Sequence, residues 1–142
     1  MYVDSAAMRL IQNPSSFDVM LTENMFGDIL TDEASVISGS LGLMPSASIG
    51  NNIALYEPIH GSYPEATGKG IANPVGAILS ATMMLEHSFG MKDEAMIVEK
   101  AVKETLYTGV ITKDLNPVNY YSTSEVGDTI ASMISQEVIE LV

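Results

Sequence analysis

Only two short stretches of this chain have the makings of a β-strand, and that scarcity constrains its fold more than any other feature. Phe17–Thr22 is apolar enough to be a buried strand, and Ile53–Tyr56 reads as a second. Two strands do not form an independently stable sheet. Partners from outside the sequence are therefore expected, together with marginal stability for the chain in isolation. The rest is helical in spacing or irregular. Ala6–Ile11 reads as a helix stopped by Asn13-Pro14. From Asn24 to about Ser38, Met25, Ile29, Leu30, Ala34 and Ile37 recur at helical spacing, with Gly39 and Gly42 ending the segment. Pro45–Gly50 reads as small and irregular. Asn73-Pro74 starts a further helix to about Ser88, Asn as cap and Pro at the first helical position, with Phe89-Gly90 ending it. Asp93–Tyr107, closed by Gly109, and Ser124–Leu141, capped by a Ser or Thr near Thr123, complete an α/β element order without internal repeats.

The segment Glu57–Pro74 cannot be a regular element. Gly61, Gly68 and Gly70 are interleaved there with Pro58, Pro64 and Pro74. A loop this long within a compact domain usually carries function. It is neither a dinucleotide fingerprint nor a P-loop: Gly68-x-Gly70 lacks the third glycine, and Gly68-Lys69 is followed by Gly rather than Ser or Thr. Backbone N–H groups near Gly61 can approach a phosphate, and His60 can stack on or hydrogen-bond to a base or sugar. Asn73 offers an amide. Each has a plainer reading, His60 as a packing residue of the loop and Asn73 as a helix cap.

Composition narrows the ligand classes. With 46% hydrophobic and 17% charged residues over 142 positions, the chain is globular. Its 18 acidic against 6 basic residues, a net charge of −12, argue against nucleic acid and against an anionic membrane surface. Arg9 is the single arginine, so a site for an anionic substrate must borrow cations from a metal or another segment. The absence of cysteine removes disulfides, thiolate zinc sites and a cysteine nucleophile, and is compatible with a cytoplasmic location. No leader-like pattern is visible at Met1–Leu10. The most apolar region, Val75–Leu85, is too short and interrupted to span a bilayer. The ten Met residues read as fillers of irregular core space.

Asp28 and Asp32 stand at i and i+4 on one helix face. Such carboxylates repel by a few tenths of a kcal/mol, and a cation between them would be a reason to keep both. Hard oxygen ligands suit Mg²⁺ or Mn²⁺, and Asp4 is a candidate third ligand. From spacing alone, a solvated acidic face is the commoner reading.

The run Thr22-Glu23-Asn24-Met25-Phe26-Gly27-Asp28-Ile29-Leu30-Thr31-Asp32-Glu33-Ala34-Ser35, continuing through Gly39-Ser40-Leu41-Gly42-Leu43-Met44-Pro45-Ser46-Ala47, resembles the signature segment of the isocitrate/isopropylmalate dehydrogenase family. Glu57-Pro58-Ile59-His60-Gly61-Ser62 and Gly68-Lys69-Gly70-Ile71-Ala72-Asn73-Pro74 resemble its second hallmark. The resemblance covers essentially the whole chain but about the last two-fifths of the family's length, and Asp4 through Pro74 is most similar to the isopropylmalate branch.

The resemblance implies a two-domain layered α/β/α fold, of which residues 1–38 would end the dimerising, metal-site domain and residues 39–142 would belong to the cofactor-binding first domain. It implies a homodimeric, NAD-dependent oxidative decarboxylation of a small 2-hydroxy acid. Asp28 and Asp32 would bind the divalent metal, and Asp4, donated to the other subunit, would bind metal and substrate. Glu57, His60, Gly61, Ser62, Tyr63, Pro64, Glu65, Ala66 and Asn73 would line the cofactor. An acidic residue at position 65 accepts hydrogen bonds from ribose hydroxyls and repels a 2′-phosphate, which favours NAD over NADP. Departures from the family pattern are Glu rather than the more usual Asp at 65, Ala at 66 and Tyr63 before Pro64. The family's catalytic lysine and tyrosine, its substrate-clamping arginines and its dimerisation arm have no counterpart here, so Met1 is expected to match an interior position and the chain to hold no catalytic residue. Relatives within the same family acting on isocitrate, homoisocitrate, tartrate or malate, and non-catalytic regulatory subunits, share these motifs.

Overall fold

A computed structural model describes residues 1–140, with side chains through Glu137, and its contacts divide the chain into two units, Met1–Leu41 and a second from Gly42 onward. The first unit is a pair of helices. α1 (Val3–Gln12) is followed by a single 3₁₀ turn at Pro14–Ser16 and by α2 (Asn24–Ser38). Ala6 and Leu10 of α1 pack with Leu30 of α2, joined by the half-buried Ala7, Phe17 and Ala34. Gly39, at φ 96°, ends α2 in the left-handed conformation that glycine adopts at no steric cost.

The expected strand Phe17–Thr22 does not form. The segment is irregular, with Val19 88% and Leu21 99% exposed. Its apolar pattern suits a buried strand, but a strand exists only through its ladder, and no described residue pairs with it.

The second unit begins with a hairpin of β1 (Pro45–Ile49) and β2 (Ala54–Pro58), antiparallel, with Pro45 opposite Pro58 and Ile49 opposite Ala54. Pro45–Gly50 is thus a strand for most of its length rather than irregular, and the second strand starts one residue later than expected, leaving Ile53 in the turn. α3 (Val75–Phe89) lies close to the segment that leads into β1. A Cβ added at Gly76 would lie 3.0 Å from the Gly42 carbonyl oxygen and 3.1 Å from that of Met44. Backbones this close require small residues. Ser80 bridges the layers, its hydroxyl donating to the Gly76 carbonyl at 2.7 Å and accepting from the Ser46 N–H at 3.4 Å.

α4 (Lys92–Tyr107) packs on both α3 and α5 (Thr123–Glu140), and the three helices share one core. Val75, Ala101, Val102, Val126 and Ile130 form the core, flanked by Leu43, Leu79, Leu106 and Met133. Thr105 is fully buried and donates to the Ala101 carbonyl at 2.8 Å, the back-bond that lets a hydroxyl sit inside a helix. A reciprocal capping box starts α5: the Ser122 backbone N–H donates to Glu125 Oε2 at 2.8 Å, and Ser122 Oγ accepts from the Glu125 N–H at 3.3 Å. The expected end of this helix, Leu141, lies outside the described residues. Among the described residues no helix is long and apolar enough to cross a membrane.

Candidate functional site

The loop residues singled out in the sequence leave the end of β2 and return to the start of α3. Glu57 is exposed on β2 opposite Ser46, and Pro58 ends the strand. His60 is half-buried, and its Nδ1 lies 3.1 Å from the Gly61 carbonyl oxygen. A carbonyl only accepts, so Nδ1 is the donor in this contact. A Cβ at Gly61 would meet nothing within 4 Å, which leaves the backbone around Gly61 and Ser62 open to close approach. Tyr63 is exposed and precedes a 3₁₀ turn at Pro64–Ala66, whose Ala66 is buried while Glu65 faces solvent. Gly68 and Gly70 take φ of 74° and 61° with open space beside them.

Asn73 closes the loop and uses both ends of its amide. Oδ1 accepts from the Val75 N–H at 3.0 Å, and Nδ2 donates to Asp114 Oδ2 at 3.0 Å. Pro74, at φ −84° and ψ −10°, is already helical, so the side chain caps α3 as the Asn-Pro pair predicts. Thr123 fastens the same stretch to α5: its N–H donates to the Gly70 carbonyl at 2.8 Å, and its hydroxyl donates to the Ala72 carbonyl. Residues 70–73 are therefore held by groups that follow α4.

The acidic residues belong to the first unit. Asp28 and Asp32 lie on α2, exposed and without an ion pair among the described residues. Asp28 Oδ2 accepts from Asn24 Nδ2 at 3.0 Å. Asp4 is exposed at the start of α1, and its Oδ1 accepts from the Ser5 N–H at 2.7 Å. No group of three or more acidic or His side chains among the described residues is gathered closely enough to hold a metal. Two uncompensated carboxylates one helical turn apart fit a hard divalent cation that completes its shell with water and substrate oxygens. Asp4 is not brought to them within this chain.

The expected Ser or Thr cap near Thr123 is Ser122, whose reciprocal partner Glu125 escaped the sequence reading together with Asp114; the S-x-x-E spacing of the box is legible. Its hydrogen bonds from the Ser122 backbone and hydroxyl hold the Glu125 carboxyl below its ordinary value of 4.5. Asp114 carried no local signal, since its partner Asn73 is 41 residues away.

The sequence pattern of isocitrate/isopropylmalate dehydrogenases matches residues 1–130. The chain is 54% identical over 140 residues to the 3-isopropylmalate dehydrogenase of Wolinella succinogenes, covering 96% of this chain and 39% of that protein. It is 64% identical over 114 residues to that of Lactococcus lactis, covering 80% and 33%. Among solved structures, isocitrate dehydrogenase from Methylococcus capsulatus superposes with a TM-score of 0.89 at 41% identity over 93% of this chain and 39% of that one. A β-decarboxylating dehydrogenase from Thermococcus kodakarensis gives 0.84 at 42% over 94% and 39%. The chain thus spans less than two-fifths of the length of the curated relatives it matches.

Proposed function

We propose, because the chain belongs to the isocitrate/isopropylmalate dehydrogenase family, that it supplies the metal-binding and NAD-binding groups of a 3-isopropylmalate dehydrogenase serving leucine biosynthesis. The observation that carries the substrate assignment is the 54–64% identity to proteins of that name, against 41% to the isocitrate enzyme. Residues 1–38 belong to the dimerising domain of the intact protein, a cytoplasmic homodimer, and residues 39–142 to its cofactor-binding domain.

In this reading Asp28 and Asp32 hold Mg²⁺ or Mn²⁺, and Asp4 reaches the corresponding site of the second subunit, where it also contacts substrate. A bound divalent cation supplies Lewis-acid polarisation at the hydroxyl and adjacent carboxylate of the 2-hydroxy acid. The two carboxylates would hold that cation, whose positive charge would offset the chain's shortage of arginine for an anionic substrate. On the cofactor side, Glu57, Pro64 and Ala66 shape the loop, and Tyr63 flanks it. The open backbone at Gly61 and Ser62 approaches the pyrophosphate, and His60 presents Nε2 to the adenosine. Glu65 accepts from the ribose hydroxyls, and its charge repels the 2′-phosphate of NADP. Asn73 reads the adenine edge. Proton transfer and the clamping of the substrate's carboxylates fall to groups outside this chain.

The test is NADH formation by the full protein with 3-isopropylmalate or isocitrate, with NAD or NADP, and before and after chelation. Turnover of 3-isopropylmalate with NAD that chelation abolishes and Mg²⁺ or Mn²⁺ restores is the expected result. Preference for isocitrate moves the assignment to the sister branch. Metal-independent turnover removes the role given to Asp28 and Asp32.

A further inference from the structure

We infer that Asp114 is a positioning residue for adenine recognition, acting through Asn73 to fix which way that amide faces; the inference rests on the reading of Glu57–Asn73 as the cofactor loop. A side-chain amide is nearly symmetric in shape but opposite in chemistry at its two ends, so an unrestrained Asn can rotate and exchange donor for acceptor. Here both orientations are not equivalent. Asp114 is a carboxylate and only accepts, at 3.0 Å from Nδ2; the Val75 N–H only donates, at 3.0 Å to Oδ1. Rotation would set oxygen against carboxylate and NH₂ against N–H, two repulsive contacts in place of two hydrogen bonds.

Asp114 is itself held. Its Oδ1 accepts from the hydroxyl of Thr112, a residue 1% exposed, so the carboxylate is anchored to the buried side of the α4–α5 connection. Packing closes the arrangement: a Cβ at Gly42 would fall 2.7 Å from Asn73 Cβ and 3.2 Å from Asp114 Oδ2. Gly42 is the space into which the pair fits. With one N–H spent on Asp114 and one lone pair on Val75, the amide keeps one donor and one acceptor. That is the pair with which an Asn side chain reads adenine, taking a hydrogen bond from N6 while donating to a ring nitrogen. Hypoxanthine reverses this pattern, with an oxygen at position 6 and a proton on N1. An amide locked by Asp114 favours adenine; one free to turn accommodates either.

The experiment measures dissociation constants of the full protein for NAD and for nicotinamide hypoxanthine dinucleotide, in the unaltered protein, in Asp114→Asn and in Asp114→Glu, with thermal melting as a fold control. Asp114→Asn keeps the size of the side chain but lets it donate as well as accept. The expected result is a preference for the adenine dinucleotide that falls roughly two- to tenfold in Asp114→Asn, the scale of one hydrogen bond, and recovers in part in Asp114→Glu. A general loosening weakens both ligands alike, so an unchanged ratio overturns the inference even if both affinities fall. Failure of the unaltered protein to bind NAD overturns the cofactor reading, and this inference with it. Binding without any preference between the bases, NAD included, overturns the inference alone.

Discussion

The two units of this chain solve the problem of burial to very different degrees. The second buries Val75, Ala101, Val102, Val126 and Ile130 almost completely in one cluster drawn from three helices. The first manages Ala6, Leu10 and Leu30 between two helices, and leaves Met25, Ile29, Val36 and Ile37 of α2 and the whole of Val19 and Leu21 to solvent. A helix exposing that much apolar surface draws little of its stability from tertiary packing. The difference divides the proposed chemistry as well. Carboxylates for a metal sit on the sparsely packed pair, whereas the cofactor loop is braced by the dense unit. Local opening should therefore reach Asp28 and Asp32 before it reaches His60 or Asn73.

The largest effect that would break this contrast lies in the dense core. Ile130→Ala removes a side chain only 1% exposed and should cost about 2–5 kcal/mol in denaturant unfolding. A loss below about 1 kcal/mol would mean that the helical cluster is not the seat of stability. Gly42→Ala comes next: the added methyl collides with Asn73 Cβ, and overpacking of this kind costs about 1–3 kcal/mol. Melting curves read it, and a neutral substitution would show that the loop closure yields easily. Ser122→Ala removes the hydroxyl that caps α5, for a loss of about 0.5–2 kcal/mol. It also alters the pH profile. Because Glu125 releases its proton more readily folded than unfolded, its contribution is complete above 4.5 and disappears as pH falls through the lowered folded value. Unfolding measured across that acidic window should fall less steeply in Ser122→Ala than in the parent; equal slopes would mean the box does not hold the carboxyl. The smallest effect belongs to the sparse unit. Leu21→Ser, at a position 99% exposed, should shift stability by less than about 0.5 kcal/mol. A cost beyond about 1 kcal/mol would reveal that another surface covers Leu21 in solution.

The helices were legible because their signals are local. Apolar spacing, Asn73-Pro74 and the glycines at 39, 90 and 109 act within a turn or two of the residues they govern, and each glycine takes the positive φ that an end requires. The strands were not, for opposite reasons. Phe17–Thr22 has strand-like residues and no ladder to join. Pro45–Ile49 has poor strand residues and a ladder, because β2 pairs with it along its whole length. The family itself was legible, because the runs around Asp28 and Asp32 and the Glu57–Pro74 loop can be read from one sequence, and the family pattern matches residues 1–130. What holds the loop could not be read in the same way. Asp114 gains its meaning only when the fold sets it beside Asn73, and nothing in Thr112-Lys113-Asp114 announces that neighbour.

The two bonds from Thr123 to Gly70 and Ala72 bear on the order in which the molecule assembles. The bond to Ala72 spans 51 residues of chain and the one to Gly70 slightly more, and the Asp114 contact spans 41, so all are late in sequence relative to what they shape. Closing such long intervals costs entropy that local turns do not, and contacts of this separation form slowly. During synthesis α3 can wind as soon as its own residues emerge, while the Gly70–Asn73 bend waits until α5 has docked. The Gly70–Asn73 stretch proposed to face the cofactor is thus expected to be among the last to acquire its shape, after α5 has docked.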